Sequence, residues 1–394
     1  MTKTIYLDNG ATAKVDPEVF KKMRPYFDQK YGNANSLHQI GRESREGIEK
    51  ARNIIAKSIN AKPREIIFTS GGTESNNLAI KGVAFANKEK GNHIITSKVE
   101  HKCILDSCKW LEKQGFEITY LDVDAEGFVN PDDLRAAITD QTILVSILHG
   151  NNEIGTISDM EKFGEICKER DVYFHTDACQ SYTKTDLDVE KFNLSLITLN
   201  SHKLHGPKGV GALYIKMGTE IDVWQHGGGQ EFGMRSGTEN VHGIVGFGKA
   251  VEIGMDKNHR KYMSELRDKL ISGIEKIPDV KLNGPRGDKR LCNNVNFSFK
   301  SIEGEALGGY LDQKFISSST GSACSEKTLE PSYVLMAIGL NHEDANGSLR
   351  LSLGRDTTEE EINEVLDVLP KIVEKLRRMS PLVKVANYVL KKSI

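Results

Sequence analysis

Leu194-Ser195-Leu196-Ile197-Thr198-Leu199-Asn200-Ser201-His202-Lys203-Leu204-His205-Gly206-Pro207-Lys208-Gly209 is an apolar run that ends in a polar loop with a lysine. Leu194 to Leu199 reads as a buried strand, and the Gly-Pro and Lys-Gly steps force a turn after it. Lys203 therefore sits just past a rigid element. A lysine amine forms a Schiff base with a carbonyl cofactor, and partial desolvation favours the free amine that attacks. On its own, such a residue is more often an ordinary solvated loop lysine. A second segment weakens that reading. His175-Thr176-Asp177-Ala178-Cys179-Gln180 closes another apolar strand, Val172-Tyr173-Phe174. A strand-end Asp followed one strand later by a strand-end Lys is the pair that pyridoxal phosphate requires. The carboxylate pairs with the pyridinium nitrogen and the amine forms the imine.

Upstream, the pattern alternates. Strands are expected at Glu65 to Ser70, Asn92 to Ser97, Phe116 to Val123, Thr142 to Leu148 and Val172 to Thr176. Helices are expected at Thr73 to Ala86, Lys102 to Gln114, from Asn130-Pro131, and at Met160 to Arg170. Asn130 is a capping residue and Pro131 suits a first helical position. Such alternation predicts an α/β fold whose large sheet is mainly parallel, with helices on both faces. Ligands then bind beyond the carboxyl ends of the strands, where the residues above fall. From Val241 a long helical stretch leads away. After Asn283-Gly284-Pro285 a smaller α+β pattern begins, with strands at Asn293 to Phe299 and Ser348 to Leu353 and a helix at Glu303 to Lys314. Helices follow from Thr358, with Pro370 a kink or break. The expected division is a large cofactor-binding domain at 15–255 and a small domain formed by 1–14 and 256–394.

The 394 residues suffice for two domains with separate cores. A formal charge of -2 suggests neither nucleic acid nor an anionic membrane as partner. The segment Met1 to Asp8 lacks a signal-peptide core, and no apolar run approaches the roughly 20 residues of a membrane span. Six cysteines include no C-x-x-C pair, so neither a zinc site nor a disulfide framework is indicated. The expectation is a cytoplasmic protein with reduced thiols and no metal.

Four further segments could carry chemistry. Ser70-Gly71-Gly72-Thr73-Glu74-Ser75-Asn76-Asn77 joins a strand to a helix, where glycines and free N–H groups suit an anion. It is equally a tight turn with Thr73 as plain N-cap. His101, in Val99-Glu100-His101-Lys102, suits ring stacking and proton transfer, or a structural role. Asn152, in Asn151-Asn152-Glu153-Ile154-Gly155, could bond a cofactor's ring oxygen, though Asn-rich loops are commonly turns. Cys324 lies among small polar residues from Ser319 to Lys327. It reads either as an accessible nucleophile or as an incidental surface cysteine. The other five cysteines fall in helix or strand patterns and read as small core residues.

In chain order these segments together resemble the cysteine desulfurases, pyridoxal-phosphate enzymes of aminotransferase-like fold. The resemblance runs from Tyr6-Leu7-Asp8-Asn9-Gly10-Ala11-Thr12 to Leu351-Ser352-Leu353-Gly354-Arg355-Asp356-Thr357-Thr358, nearly the whole chain. It includes the segments around Gly72, His101, Asn152 and Lys203. It also includes His226-Gly227-Gly228-Gly229-Gln230-Glu231 and Arg235-Ser236-Gly237-Thr238-Glu239-Asn240. Gly321-Ser322-Ala323-Cys324, with Leu329-Glu330-Pro331-Ser332-Tyr333-Val334-Leu335 after it, resembles the longer cysteine loop of the housekeeping iron–sulfur-assembly class.

The resemblance implies a role for each residue. Lys203 carries the cofactor, Asp177 keeps its ring nitrogen protonated, and His101 stacks on its face. Gln180 and Asn152 bond the phenolate side. Gly72, Thr73, His202 and either Asn200 or Ser201 bind the phosphate, with Thr238 reaching across from the second subunit of a homodimer. Arg350 takes the carboxylate of L-cysteine, with Arg355 the weaker candidate. Lys203 or His101 moves the α-proton. Cys324 takes the sulfur as a persulfide, leaving alanine, and passes it to an iron–sulfur scaffold or another sulfur-acceptor protein.

Three positions depart from the family pattern: Asn200 where serine is common, Phe232 where arginine is usual, and Cys179 in place of a common alanine, read here as packing. Two other readings stay open. One is a selenocysteine lyase or other pyridoxal-phosphate enzyme of this fold, although an aminotransferase would need no Cys324. The other is a non-catalytic sulfur-assembly scaffold, against which the joint presence of Lys203, Asp177, His101 and Cys324 argues.

Overall fold

The alternating apolar runs assemble into a seven-stranded sheet in a computed structural model that describes residues 4–320 and 331–379. The strand order is Ile66–Thr69, Gly211–Ile215, Leu196–Asn200, Tyr173–Asp177, Thr142–Ser146, His93–Ser97 and Glu117–Leu121. Gly211–Ile215 runs antiparallel to both its neighbours, and every other pairing is parallel. Helices cover both faces, so successive strand residues are apolar instead of every second one. Leu196 packs with Leu78, Ile80, Ile94 and Leu144. Its neighbours Ile197 and Leu199 pack into the opposite core with Ile48, Ile55, Phe174 and Phe247.

The expected elements form with ends shifted by one to a few residues: Gly72–Ala86 starts one residue early, and Lys102–Glu112 and Met160–Glu169 end early. The cap at Asn130 forms as well, its side chain accepting from Asp132 N–H at 3.0 Å with Pro131 at the first helical position. The long helical stretch is two helices, Val241–Gly254 and Lys257–Ile274, the second capped by Asp256.

Beyond them, Ser348–Ser352, Asn294–Phe299 and Val280–Leu282 form an antiparallel sheet, and Ile5–Tyr6 pairs with Ile316–Ser317 in parallel. The core here gathers Leu7, Leu270, Phe297, Leu351 and Val365. The final helix, Glu359–Met379, carries Pro370 within it instead of stopping there. Leu369, Ile372 and Val373 are buried around the proline, which offsets the one backbone hydrogen bond that it removes. No helix among the described residues is long and apolar enough to cross a membrane.

Candidate functional site at the carboxyl ends of the strands

The Lys203 loop is clamped at its base. Asn200 and Gly211 are register partners on adjacent strands, so the loop leaves and returns at one place. Lys203 is half-buried. The N-terminal segment grips the loop: Ala13 N–H donates to His202 O at 2.8 Å, and His202 Nδ1 lies 3.2 Å from Thr12 Oγ1. His205 adopts a φ of 65°, unusual for a non-glycine residue. It is held from two sides, by Asp16 N–H on its carbonyl at 3.0 Å and Arg355 N–H on Nε2 at 3.2 Å.

Asp177 lies at the end of its strand and is buried. Oδ1 accepts from Cys179 N–H at 2.8 Å and Oδ2 from Asn76 Nδ2 at 2.6 Å. Burial opposes its charge. The His101 imidazole, these two donors and the Lys203 ammonium outweigh burial and hold the carboxyl below its ordinary range. His101 caps the helix Lys102–Glu112 through Nδ1. Burial pushes its imidazole down, Asp177 pulls it back up, and Lys203 pushes it down again, for a net lowering. The preceding Glu100 is fully buried and pushed up to about 8 by that burial. Its carboxyl accepts from Ser97 Oγ at 2.7 Å and Leu148 N–H at 2.8 Å.

The helix Gly72–Ala86 begins beside these groups. A Cβ at Gly72 would lie 2.6 Å from Cys179 Sγ and 3.8 Å from Asn200 Nδ2. Cys179 is therefore a packing residue under this turn. Asn200 Oδ1 and Ser201 Oγ are both buried without a hydrogen-bond partner. Ser201 Oγ lies against Gly206, where a Cβ would come within 2.0 Å of it, whereas Asn200 faces Gly72. Gln180 Nε2 donates to Gly10 O at 2.8 Å.

Asn152 and Arg350 form a second cluster. Arg350 is buried, donates through Nη1 to Asn152 O at 3.0 Å and through Nη2 to Asp8 Oδ1 at 3.1 Å, and its Nε has no partner. Asn152 Oδ1 is also buried and unpaired. The backbone of Arg350 exchanges hydrogen bonds with Ser319 at 2.7 and 3.1 Å. Cys324 lies outside the described residues. On the far side of its segment, Ser332 Oγ donates to the Glu153 carboxylate and Tyr333 OH donates to Glu100 O at 2.6 Å. Arg355 instead pairs with Asp16 at 3.2 Å.

Thr238 stands apart. It is exposed on the Gly-rich loop and makes no hydrogen bond to the other site residues among those described. The loop itself is firmly held. Glu231, with a φ of 49°, inserts its carboxylate against Arg52 at 2.8 and 2.9 Å and against Phe68 N–H at 2.8 Å. Phe232 lies over the Arg52 guanidinium at 4.9 Å, opposite Phe68 at 4.8 Å. A neighbouring tie joins Arg235 to Glu74 at 2.8 Å.

Sequence reasoning missed three contributors. Asn76 lies one turn after Gly72 on the same helix face, a spacing that could have flagged it. Asp8 and Gly10 reach the site only through the tertiary fold. Cys103 departs from the expectation for the five cysteines: it is half-buried, and its sulfur lies 2.9 Å from His101 Nδ1. Cys108, Cys167, Cys179 and Cys292 are buried, as expected.

The chain with this mainly parallel sheet belongs to the class-V aminotransferase family: the family's model, described as Aminotransferase class-V, matches residues 5–365. Within the family the chain groups with the cysteine desulfurases. It is 54% identical over 386 residues, 97% of either chain, to Cysteine desulfurase IscS of Clostridium botulinum strain Hall. It is 55% identical over 385 residues, again 97% of either chain, to the protein of that name from Dictyoglomus turgidum. Among solved structures, a NifS-like protein aligns with a TM-score of 0.89 at 38% identity, covering 95% of this chain and all of that one. SspA in complex with cysteine aligns at 0.81 and 37% identity, over 90% of this chain and all of that one.

Pyridoxal phosphate is the cofactor of this family, and the residues present fit it. The ionised Asp177 suits a ring nitrogen. Asn200 Nδ2, an amide donor, faces the start of the helix at Gly72, where free N–H groups suit a phosphate, and Arg350 Nε is a buried donor without a partner.

Proposed function

We infer that this enzyme is a cysteine desulfurase in which Lys203 holds pyridoxal phosphate through Nζ and Cys324 takes the sulfur of L-cysteine. The observation that carries the reading is Asp177, a buried carboxylate kept ionised beside His101 and Lys203. The bound cofactor supplies an electron sink for the bonds around the substrate's α-carbon. Asp177, oriented by Asn76 and Cys179 N–H, offers its negative charge to the ring nitrogen. His101 stacks on the ring face, and Gln180 and Asn152 face its phenolate side. Gly72, Thr73 and His202 bind the phosphate, and Asn200 does so in preference to Ser201, whose hydroxyl is turned to Gly206. Arg350 receives the substrate carboxylate; its planar fork suits that group. Lys203 or His101 moves the α-proton. The Cys324 thiolate attacks the substrate sulfur. The C–S bond breaks, an S–S bond forms, carbon takes a proton, and the products are alanine and a Cys324 persulfide bound for an iron–sulfur scaffold or other acceptor.

The protein works as a cytoplasmic homodimer, with Thr238 completing the partner's phosphate site. Phe20, Phe27, Tyr31 and Leu37 are exposed, and the Phe27 ring contacts His242 at 4.2 Å, close in sequence to Thr238. Separate cores support a large domain at 15–255 and a small one from 1–14 and 256–394. Borohydride reduction followed by peptide mapping tests the cofactor assignment. The label belongs on Lys203; a label on Lys208, or none, overturns it.

A further inference from the structure

His101 caps its helix with an imidazole, and the geometry decides which nitrogen carries the proton. Nδ1 accepts from Cys103 N–H at 3.3 Å, so Nδ1 is unprotonated. Cys103 Sγ lies 2.9 Å from the same Nδ1, so of the two partners only the thiol can donate. The sulfur in turn accepts from Asn76 Nδ2 at 3.2 Å. Asn76 Nδ2 also reaches Asp177 Oδ2 at 2.6 Å. One sulfur thus joins the His101 imidazole and the side chain that orients the Asp177 carboxylate. Nε2 makes no hydrogen bond among the described residues, so it is the nitrogen left to face the chemistry.

We propose that Cys103 is the positioning residue of His101: its backbone N–H sets the Nε2–H tautomer, its S–H bond fixes the ring plane and favours the neutral ring, and Asn76 ties that orientation to Asp177. The purpose of this device rests on the desulfurase reading; its geometry does not. The backbone N–H alone is a long contact and leaves the ring free to tilt. A thiol is a weak donor, but His101 is half-buried, which limits competition from water. Burial also holds the thiol proton in place, pushing Cys103 up to about 12.

Substitution should separate this role from simple packing. Cys103→Ala removes the donor, and Cys103→Ser restores one of similar reach. The other charged groups facing His101 are Asp177 from its strand, Lys203 from its loop and Asp106 from the same helix, and all three stay in place in both variants. Donation to Nδ1 favours the neutral ring, so its loss makes protonation easier. The test is long-range proton–nitrogen NMR on the full-length holoenzyme labelled with nitrogen-15 histidine, with His101 assigned by His101→Gln. The parent and Cys103→Ser should show a single Nε2–H tautomer. Cys103→Ala should keep that tautomer, which the backbone N–H still favours, but show a His101 titration midpoint raised by up to about one pH unit, a tenfold change in protonation. The acid limb of kcat/KM should move the same way, with kcat down about threefold to tenfold and KM unchanged. An unaltered midpoint in Cys103→Ala would overturn the proposal, as would a Cys103→Ser variant that behaves like alanine. Persistence of the NMR response in a protein that forms no alanine from L-cysteine would uphold the positioning role while removing the desulfurase reading.

Discussion

Glu231→Ala is the substitution whose cost is written most directly in the structure. The Glu231 carboxylate and the Arg52 guanidinium are both almost wholly buried, at 2% and 1% side-chain exposure. They meet in a two-pronged contact at 2.8 and 2.9 Å, with Phe68 N–H as a third donor at 2.8 Å. Arg52 keeps Ile66 O at 2.6 Å and two flanking rings, but no other buried carboxylate. Its remaining acidic neighbour, Glu49, is 39% exposed. Alanine therefore strands a buried cation, which costs about 3–5 kcal/mol, and orphans the Phe68 N–H, which costs about 1–3 kcal/mol more. Total stability is about 5–15 kcal/mol, so the loss is a large share. At about 2–4 °C per kcal/mol for a unit of this size, the melting temperature falls by about 10 °C or more in scanning fluorimetry. The cofactor should also be lost faster on dialysis, because Glu231 anchors the loop bearing Thr238. Arg52→Met combined with Glu231→Leu should recover most of the loss, since an apolar pair removes the stranded charge. A Glu231→Ala protein within about 1 kcal/mol of the parent would refute the reasoning, as would a double variant less stable than the single one.

Three further outcomes follow from the same geometry. Asp177→Ala should lower turnover by orders of magnitude even at saturating cofactor, because the ring nitrogen loses its charged partner; near-parent turnover would mean that another group serves it. Gly72→Ala drives a Cβ to 2.6 Å from Cys179 Sγ and should weaken cofactor retention about tenfold or more, with Cys179→Ala restoring it in the double variant; an undiminished single variant would show that the turn can shift. Stability should peak near pH 6.5. His149, His175, His202 and His205 are each lowered from 6.5 to about 4, burial being the largest cause, so the stability they contribute above 6.5 is lost as pH falls toward 4. Glu100 is raised from 4.5 to about 8, so its contribution is complete below 4.5 and lost as pH rises through 8. These four outweigh Glu100 between 4.5 and 6.5, the loss of the Glu100 contribution sets the limb between 6.5 and 8, and Glu100→Gln should flatten that upper limb in a melting-temperature series.

The sheet was legible because its strands are short, apolar and separated by helical periods, and the site because strand ends collect the ligand groups. Gly211–Ile215 escaped the reading. It begins with Gly and Ala, poor strand formers, and they are required there: a Cβ at Gly211 would lie 2.7 Å from Leu199 O and 2.8 Å from Gly71 Cα. Pro370 misled because its local effect is overridden by packing on either side. Asn76 was within a quoted motif and Cys103 directly follows one, yet their partners come from other elements, which no local pattern encodes. Phe232 had no role in the sequence; in the fold it covers the Arg52–Glu231 pair. The segment around Cys324 lies outside the described residues, so its reading rests on the sequence and on the family.

The central claim is that sulfur leaves L-cysteine for Cys324 at a site organised by Lys203 and Asp177. Mass spectrometry of the protein after brief exposure to L-cysteine, with alanine quantified alongside, tests it most directly. The account predicts one added sulfur on the peptide that holds Cys324 and an equivalent of alanine, whereas Cys324→Ala gains no sulfur and yet still shifts its cofactor absorbance on adding substrate. Undiminished alanine from Cys324→Ala would contradict it.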